Sequence, residues 1–319
     1  MSAVAAPRTV LKDLSYEAFA YPGDREALAR IKAIPGATAL FTKINEAGLD
    51  QYWQAQNLYN NVRVSTSNYP ALHELVRDCA AILDCPLPEV FIDYSPFYNG
   101  YTAGVRQTFV VLNSALIEDF GDAELRYIVG HELGHIKSGH VLYHSMGATL
   151  FRFYPLIANM FPGAALIYVP LAAAYFEWIR RSEFSADRAG ALCVQDPQAC
   201  YRALQRIAGR LKGTHESDVD LDAVLGQLDD LEEVNSKLGR LLLFYSNIGR
   251  DHPYPILRLR ELRRWIDSGA YAAVLSGDYA SDPLGEHELG RRIKCAGCGK
   301  YSNAKLVKCP DCGMTLEWF

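Results

Sequence analysis

Apolar side chains recur every three or four positions in two early segments, GDREALARIKAI (residues 23–34) and NYPALHELVRDCAAILDCP (residues 68–86). This spacing puts them on one face of a helix, and proline or glycine bounds both segments, so we expect two amphipathic α-helices. Two shorter runs, PEVFIDYS (88–95) and RQTFVVLN (106–113), are rich in β-branched and aromatic residues and predict strands. Helices beside two strands indicate an α+β domain with a small sheet.

A further helix is predicted over GDAELRYIVGHELGHIKSGHVLYH (121–144), with Asp122 as its N-cap and one apolar face. Gly130 and Gly134 lie inside this helix, although a glycine in a helix interior costs about 1 kcal/mol relative to alanine. Either close packing against another element or room beside a metal or substrate would explain both glycines.

The charge balance of the chain limits the classes of partner. Among its 319 residues, 32 are Lys or Arg and 37 are Asp or Glu, giving a formal net charge of -5. This balance argues against a general polyanion binder. The N-terminal segment has no apolar stretch of signal-peptide length, so we expect a cytoplasmic protein, either free or at the inner face of the membrane.

The segment HELGH contains the pattern HExxH. His131 and His135 are four residues apart, so both imidazoles lie on one helix face and can bind the same zinc ion. In HExxH sites the glutamate after the first histidine is the general base for a metal-activated water, which here is Glu132. The pattern predicts a catalytic zinc; solvated histidines on a surface helix are the alternative.

His140 does not complete the longer pattern HExxHxxGxxH, because Ser138 and Val141 stand where that pattern has glycine and histidine. On a continuous helix His140 would point away from His135. We therefore expect a supporting or structural role for His140.

A catalytic zinc needs a third protein ligand. Glu183, in RRSEFSADRAG, lies four residues before Asp187, so the two carboxylates share a helix face. We expect Glu183 to bind zinc and Asp187 to accept a hydrogen bond from the second nitrogen of a ligand histidine. Two acids on a solvated face are the alternative.

Taken in order, HELGH, EFSAD and the later HPYPILRLREL resemble the HtpX-type gluzincin metallopeptidases over about residues 60–265. The resemblance implies a mainly helical peptidase domain with a small sheet, three zinc ligands, a glutamate base and a carboxylate buttress. It also implies a role for His252 and Arg258 in the late motif, as oxyanion stabiliser or as anchor of the helix. The implied residues are His131, His135 and Glu183 on zinc, Glu132 as base and Asp187 as buttress.

Relatives of this type have a strand-edge segment before the histidine helix, and YNGYTAGVRQTFVVLN (98–113) is the counterpart. Where members often have Asn-Ala-Phe, this chain has NGYTAG, so we expect its substrate-facing edge to differ from theirs. An extended peptide is expected to add to this edge through main-chain hydrogen bonds and to be hydrolysed without a covalent intermediate.

Residues 153–176 carry no charge and are long enough to cross a bilayer once, since a span needs about 20 apolar residues. A single crossing would separate His135 from Glu183, and two crossings need about 40 apolar residues. We therefore expect an apolar helical hairpin, which either packs on the peptidase domain or dips into one leaflet as a peripheral membrane contact.

Four of the eight cysteines form two CxxC pairs near the C-terminus. In a reducing compartment, this spacing predicts a structural zinc in a closed tetrahedral site, as in zinc ribbons. The segment is basic, so contact with an acidic partner, including nucleic acid, stays open beside a docking or stabilising role. The predicted zinc ligands are Cys295, Cys298, Cys309 and Cys312.

These patterns predict a zinc endopeptidase acting on protein or peptide substrates, unfolded or misfolded protein among them, with one catalytic and one structural zinc. The alternative is a zinc-ribbon adaptor whose peptidase-like domain is a binding scaffold; Glu132 argues against it, because a scaffold needs no base. The sequence leaves the oligomeric state undetermined. The predicted divisions are a helical extension (1–60), a peptidase domain (61–268) with an apolar insert (146–179), a linker (269–290) and the zinc ribbon (291–319).

Overall fold

The computed structural model describes residues 8–36, 48–104, 108–152, 159, 163–209, 219–230, 252, 254–282, 292–294 and 301–303. The helices, numbered in chain order, are α1 (Asp24–Ala33), α2 (Leu49–Asn60), α3 (Pro70–Ile82), α4 (Ser114–Asp119), α5 (Asp122–Lys137), α6 (Val141–Arg152), α7 (Ala164–Val194), α8 (Pro197–Ala208), α9 (Leu221–Gly226), α10 (Pro255–Asp267) and α11 (Ala270–Leu275). The strands are β1 (Val62–Arg63), β2 (Glu89–Asp93), β3 (Gly100–Ala103), β4 (Phe109–Asn113), β5 (Arg292–Lys294) and β6 (Tyr301–Asn303).

The predicted α+β class is confirmed, because the described chain is mostly helical with a small mixed sheet. Helices α1, α3 and α5 and strands β2 and β4 each fall inside a segment that periodicity predicts. One boundary differs. Gly121, not Asp122, is the N-cap of α5, and its backbone N–H donates to the Glu124 carboxylate three residues on. A glutamate three residues after the N-cap can thus accept a hydrogen bond from the N-cap backbone N–H, as in a capping box.

The four-stranded sheet has the order β1-β2-β4-β3. Strands β2 and β4 run parallel, whereas β1 and β3 pair antiparallel with their neighbours. Strand β3 therefore lies at one edge, with Gly100 opposite Leu112 and Ala103 opposite Phe109. Within the described sheet β3 pairs with β4 alone, so it is an edge strand of the kind to which an extended chain can add.

Helices α5 and α7 form the most extensive helix pair of the described fold. A Cβ atom added at Gly130 would lie 2.4 Å from the Cβ of Cys193, and one added at Gly134 would lie 2.6 Å from the Cβ of Ala189. Both distances are shorter than carbon atoms tolerate. Close packing of the two helices therefore explains the two glycines, and it holds both helices at a short separation.

We expect Gly134→Ala to lower the free energy of unfolding. Overpacking a core costs about 1–3 kcal/mol, whereas the gain in helix propensity is about 1 kcal/mol. Gly226→Ala is the matched control, because a Cβ there would meet nothing within 4 Å. Urea unfolding of the two zinc-free variants would measure the difference, and equal stability of both variants would contradict close packing at Gly134.

The predicted apolar insert lies partly outside the described residues. Helix α6 contains the first residues of this insert and ends at Arg152, and α7 begins at Ala164 and continues without a break to Val194. The last part of the insert and Glu183 therefore lie on one helix, because Pro170 removes one main-chain hydrogen bond but does not end α7. Within the part of the chain that the structure covers, no helix combines the length and apolar character that a membrane crossing requires.

Segments near both ends of the peptidase domain pack into its core. Leu11 and Leu14 of the predicted extension are buried, as are Tyr271 and Val274 of α11. Leu14 forms a β-bridge with Ser281. The predicted linker (269–290) therefore begins with packed residues at Tyr271 and Val274, whereas its other described residues are exposed or partly exposed.

Candidate metal centre

Two helices and the segment before a third supply the polar side chains of the centre. Helix α5 carries His131, Glu132 and His135, α7 carries Glu183, and His252, three residues before the start of α10, reaches the same point. The α5 and α7 residues are each at most 3% exposed. Uncompensated burial of so many polar groups would be costly, so the arrangement of their partners shows what the centre can do.

The two imidazole Nε2 atoms of His131 and His135 and the carboxylate group of Glu183 form a small triangle, in which each histidine faces a different carboxylate oxygen. The two Nε2 atoms lie 3.2 Å apart. Nε2 of His135 is 3.3 Å from Oε1 of Glu183, and Nε2 of His131 is 3.4 Å from Oε2 of the same carboxylate. A tetrahedron with zinc–ligand bonds of about 2.0–2.1 Å has edges of about 3.3–3.4 Å. The donor spacing therefore fits a tetrahedral zinc.

Oε1 of Glu183 is buried and has no hydrogen-bond partner within the described chain. Leaving a buried carboxylate oxygen unpaired costs more than about 1–3 kcal/mol. A cation bound between this oxygen and the two imidazoles would remove that cost. The chemistry of the donor set, two imidazoles and one carboxylate, is that of catalytic zinc sites with one coordination position left open.

Asp187 contacts the outer nitrogen of His131. Its Oδ1 is 2.9 Å from Nδ1 of His131 and accepts a hydrogen bond of 2.7 Å from Tyr127. Arg258 donates to both carboxylate oxygens, from Nε to Oδ2 at 2.9 Å and from Nη2 to Oδ1 at 2.6 Å. These contacts fix His131 with Nδ1 outward and Nε2 toward the triangle, as a zinc ligand requires.

The ionisation of the cluster suits a cation. Burial would raise the pKa of Glu183, but His252 and Arg258 outweigh it and hold that pKa well below its usual value. Burial lowers the pKa of His135 to about 4, so its imidazole is neutral at physiological pH. A carboxylate and a neutral imidazole are the protonation states in which these groups bind metals.

His252 lies closer to the centre than its position in the sequence could show. Its Nδ1 is 2.7 Å from Oε2 of Glu183, and its Nε2 is 2.6 Å from the carbonyl oxygen of Gly100 on β3. Burial would lower the pKa of His252, but Glu183 and Glu132 raise it to about 10. Its side chain is 14% exposed, so it faces the cleft between the cluster and the edge strand.

Glu132 points toward the same edge strand. The hydroxyl of Thr102 donates to its Oε2 at 2.6 Å. Its Oε1 is 3.5 Å from Nε2 of His252. The carboxylate is thus held beside the ligand triangle without being part of it, which is where a base for an attacking water has to be.

A pocket of about 60 Å³ opens next to Glu132 and His252. The apolar side chains of Leu116, Ile128 and Ile207 form part of its lining. A chain lying along β3 would pass this pocket.

His140 is not turned away from His135, contrary to the expectation for a continuous helix. Helix α5 ends at Lys137, and Gly139 adopts a φ of 69°. The N–H of His140 then donates to the carbonyl of His135, and that of Gly139 to the carbonyl of Ile136. This is a Schellman motif, and it folds the His140 ring back to within 3.2 Å of His135.

Three further residues of the centre are absent from the sequence prediction. Tyr127 precedes His131 by four residues on α5, so helical spacing was a usable signal for it. Thr102 lies in the predicted edge segment, but its register could not be inferred. Asp24 lies on α1, far away in sequence, and no local pattern indicates it. The predicted ribbon ligands lie outside the described residues; they are Cys295, Cys298, Cys309 and Cys312. In the same predicted ribbon, the described strands β5 and β6 form an antiparallel pair.

The sequence is similar to known peptidases. The profile of the family described as Peptidase family M48 matches residues 66–266. The plastoglobule-localized metallopeptidase 48, chloroplastic, of Arabidopsis thaliana is 30% identical over 275 residues, which cover 85% of this chain and 78% of that protein. A protease HtpX homolog of Methylibium petroleiphilum is 29% identical over 187 residues, 51% of this chain and 66% of its own. A protease HtpX homolog of Ralstonia nicotianae is 25% identical over 247 residues, which cover 70% of this chain and 84% of that protein.

Proposed function

Because this chain belongs to peptidase family M48, we propose that His131, His135 and Glu183 are the zinc ligands of a metalloendopeptidase. The protein is a zinc metalloprotease acting on protein or peptide substrates. The observation that carries the residue assignment is the donor triangle, with edges of 3.2–3.4 Å and one unpaired carboxylate oxygen.

Zinc at this position supplies a Lewis acid that polarises the scissile carbonyl and lowers the pKa of water. Glu132 takes the proton from the attacking water and later gives it to the leaving amine. Thr102 holds the carboxylate through Oε2, which leaves Oε1 toward the cleft. Asp187 fixes the orientation of His131, and no covalent enzyme intermediate forms.

The edge strand β3 binds the substrate backbone. An extended peptide adds to it antiparallel or parallel through main-chain hydrogen bonds, which select for an unfolded segment and not for a sequence. The apolar pocket at Leu116, Ile128 and Ile207 receives one substrate side chain. This mode of binding supports a role in degrading unfolded or misfolded protein.

His252 and Arg258 have different roles. His252 is partly exposed and lies between Glu183 and the edge strand. Its role is to stabilise the oxyanion that develops on the scissile carbonyl, for which its Nε2 has to exchange the carbonyl of Gly100 for the substrate. Arg258 is buried and forms two hydrogen bonds with Asp187. It therefore anchors α10 and holds Asp187 in place, and it does not contact the substrate.

The divisions at 1–60, 61–268, 269–290 and 291–319 stay part of the proposal as segments of the sequence and not as separately folded units, because Leu11, Leu14, Tyr271 and Val274 pack into the core. The last segment is proposed as a ribbon that holds a structural zinc and supplies a docking surface. A cytoplasmic location and a peripheral membrane contact through residues 153–176 are likewise proposals. A scaffold without catalysis is the weaker candidate, because Glu132 is buried and is oriented by a hydrogen bond that binding alone does not need.

Glu183→Gln should bind one zinc fewer per chain than the wild type and should not hydrolyse casein. The neutral amide no longer neutralises the cation and is a poor zinc ligand. The matched control is Glu177→Gln, on the same helix, whose carboxylate contacts Arg30 and Arg181 instead. Metal analysis and casein hydrolysis would be measured before and after chelation and after zinc is restored. Chelator-resistant hydrolysis, or full zinc content in Glu183→Gln, would contradict the assignment.

A further inference from the structure

The second zinc-facing histidine has no carboxylate on its outer nitrogen. Nδ1 of His131 meets Asp187, but Nδ1 of His135 lies 3.2 Å from Nδ1 of His140. His140 is 1% exposed. An imidazole that binds zinc through Nε2 carries a proton on Nδ1, and that proton needs an acceptor. Nδ1 of His140 is the group in position to accept it.

The far nitrogen of His140 faces a buried carboxylate from the N-terminal part of the chain. Nε2 of His140 is 3.1 Å from Oδ2 of Asp24. The two atoms are within hydrogen-bonding distance but are not aligned as a hydrogen bond, and within the described chain this nitrogen has no aligned hydrogen-bond partner. Asp24 itself is fully buried, so its charge needs partners inside the protein.

Three other side chains fix the Asp24 carboxylate. Tyr16 donates to Oδ2 at 2.6 Å and Ser185 to the same oxygen at 2.5 Å. The indole N–H of Trp178 donates to Oδ1 at 3.0 Å. With these donors in place the carboxylate remains charged: burial would raise the pKa of Asp24, but His140 and the donors lower it to about 2.

We propose that Asp24 is a positioning residue for the zinc ligand His135 and acts on it through His140. The proton positions follow from the contacts: His135 donates from Nδ1 to Nδ1 of His140, and His140 donates from Nε2 to Asp24. The relay makes His135 a better donor to the metal and fixes its ring plane, as Asp187 does directly for His131. This inference rests on the proposed zinc site.

The relay gives the N-terminal extension a defined part in the centre. Asp24 is the first residue of α1, which packs along α7. It lies outside the segment that matches the family profile, which begins at residue 66. The metal centre therefore depends on a side chain from a part of the chain that the sequence predicts to be only an extension.

Asp24→Asn is expected to weaken zinc binding at the His131/His135/Glu183 site about 10- to 100-fold, the range for loss of a partner behind a metal ligand. Zinc bound per chain would be measured for the full-length protein over a series of buffered free zinc concentrations. The binding step that is absent from Glu183→Gln identifies the site and separates it from the cysteine segment. Glu26→Gln is the matched control, because it removes an exposed carboxylate from the same helical turn.

A double-mutant cycle separates positioning from general support of the fold. In His140→Asn the amide oxygen still accepts from His135, but the side chain is too short to reach Asp24. We expect Asp24→Asn to change zinc affinity less than about twofold in that background, since coupled residues are not additive. If Asp24→Asn weakens zinc equally in both backgrounds, or no more than Glu26→Gln does, the relay does not exist.

One further measurement and the zinc titration itself keep the outcomes distinct. Unfolding of each zinc-free variant, followed by circular dichroism, shows whether Asp24→Asn folds; if it does not, Tyr16→Phe, which removes one of the donors to Asp24, replaces it in the cycle. If the wild type itself lacks the Glu183-dependent step, the zinc site fails and the relay with it. If the step is present and Asp24→Asn leaves it unchanged, only the relay fails.

Discussion

Glu132→Gln is expected to lower kcat for peptide hydrolysis by roughly 10²–10⁴-fold, the usual contribution of a general base. Glutamine has the same shape and keeps an oxygen that accepts from Thr102, so the fold and the ligand triangle should be unaffected. What it lacks is the ability to take a proton from water. A quenched fluorescent peptide would measure kcat, with zinc content and unfolding free energy determined on the same samples.

The control for this substitution is Glu124→Gln on the same helix. Glu124 is also a buried carboxylate, but it pairs with Arg206 at the start of α5, away from the ligand triangle. It should lose stability and keep kcat. If Glu132→Gln retained more than about a tenth of wild-type kcat with full zinc content, Glu132 would not be the base.

Arg258→Met is expected to cost about 3–5 kcal/mol of unfolding free energy at neutral pH, the penalty for removing one partner of a buried ion pair. Arg258 is 2% exposed and forms two hydrogen bonds with Asp187. Its Nη1 also lies 3.3 Å from Oε2 of Glu183. Chemical denaturation of the zinc-free protein would measure the loss. Arg264→Met is the control, because its ion pair is exposed and contributes at most about 1 kcal/mol.

The stability difference between Arg258→Met and the wild type should depend on pH. Burial would raise the pKa of Asp187, but Arg258 outweighs burial and holds it below the ordinary 3.8. A carboxyl whose folded pKa is lowered stabilises the fold above its unfolded pKa and loses that effect as pH falls through the folded value. The difference in unfolding free energy between the wild type and Arg258→Met should therefore be largest at pH 7 and should become smaller below about pH 4. A constant difference down to pH 3 would mean that Arg258 acts by packing alone.

Periodicity is sufficient to locate the amphipathic elements, because helices α1, α3 and α5 each have one apolar face to bury. Strand β3 and the continuity of α7 depend on tertiary packing. The four residues Gly100–Ala103 are too few to show an alternating pattern, so only the resemblance indicates a strand there, and a proline at 170 gives no local signal that α7 continues through it. Residues 270–282 have the composition of a linker but bury Tyr271 and Val274, which composition cannot indicate.

The site is partly encoded in local spacing. A four-residue interval on one helix makes His131 and His135 converge, and the same interval relates Glu183 to Asp187. The expectation that His140 points away from His135 is wrong because it assumes a helical Gly139. A glycine at this position, after Lys137 and Ser138, is a typical helix end. Asp24 and Thr102 could not be inferred, since only the folded chain brings them to α5.

The β-bridge between Leu14 and Ser281 bears on the choice of limits for an expressed fragment of this protein. A recombinant piece cut at the profile limits, 66 and 266, would discard the buried side chains of Leu11, Leu14, Tyr271 and Val274. It would lack Asp24 as well. The profile limits therefore mark the shared part of this peptidase, whereas the side chains that pack into its core extend from Leu11 to Val274 and the bridge reaches Ser281.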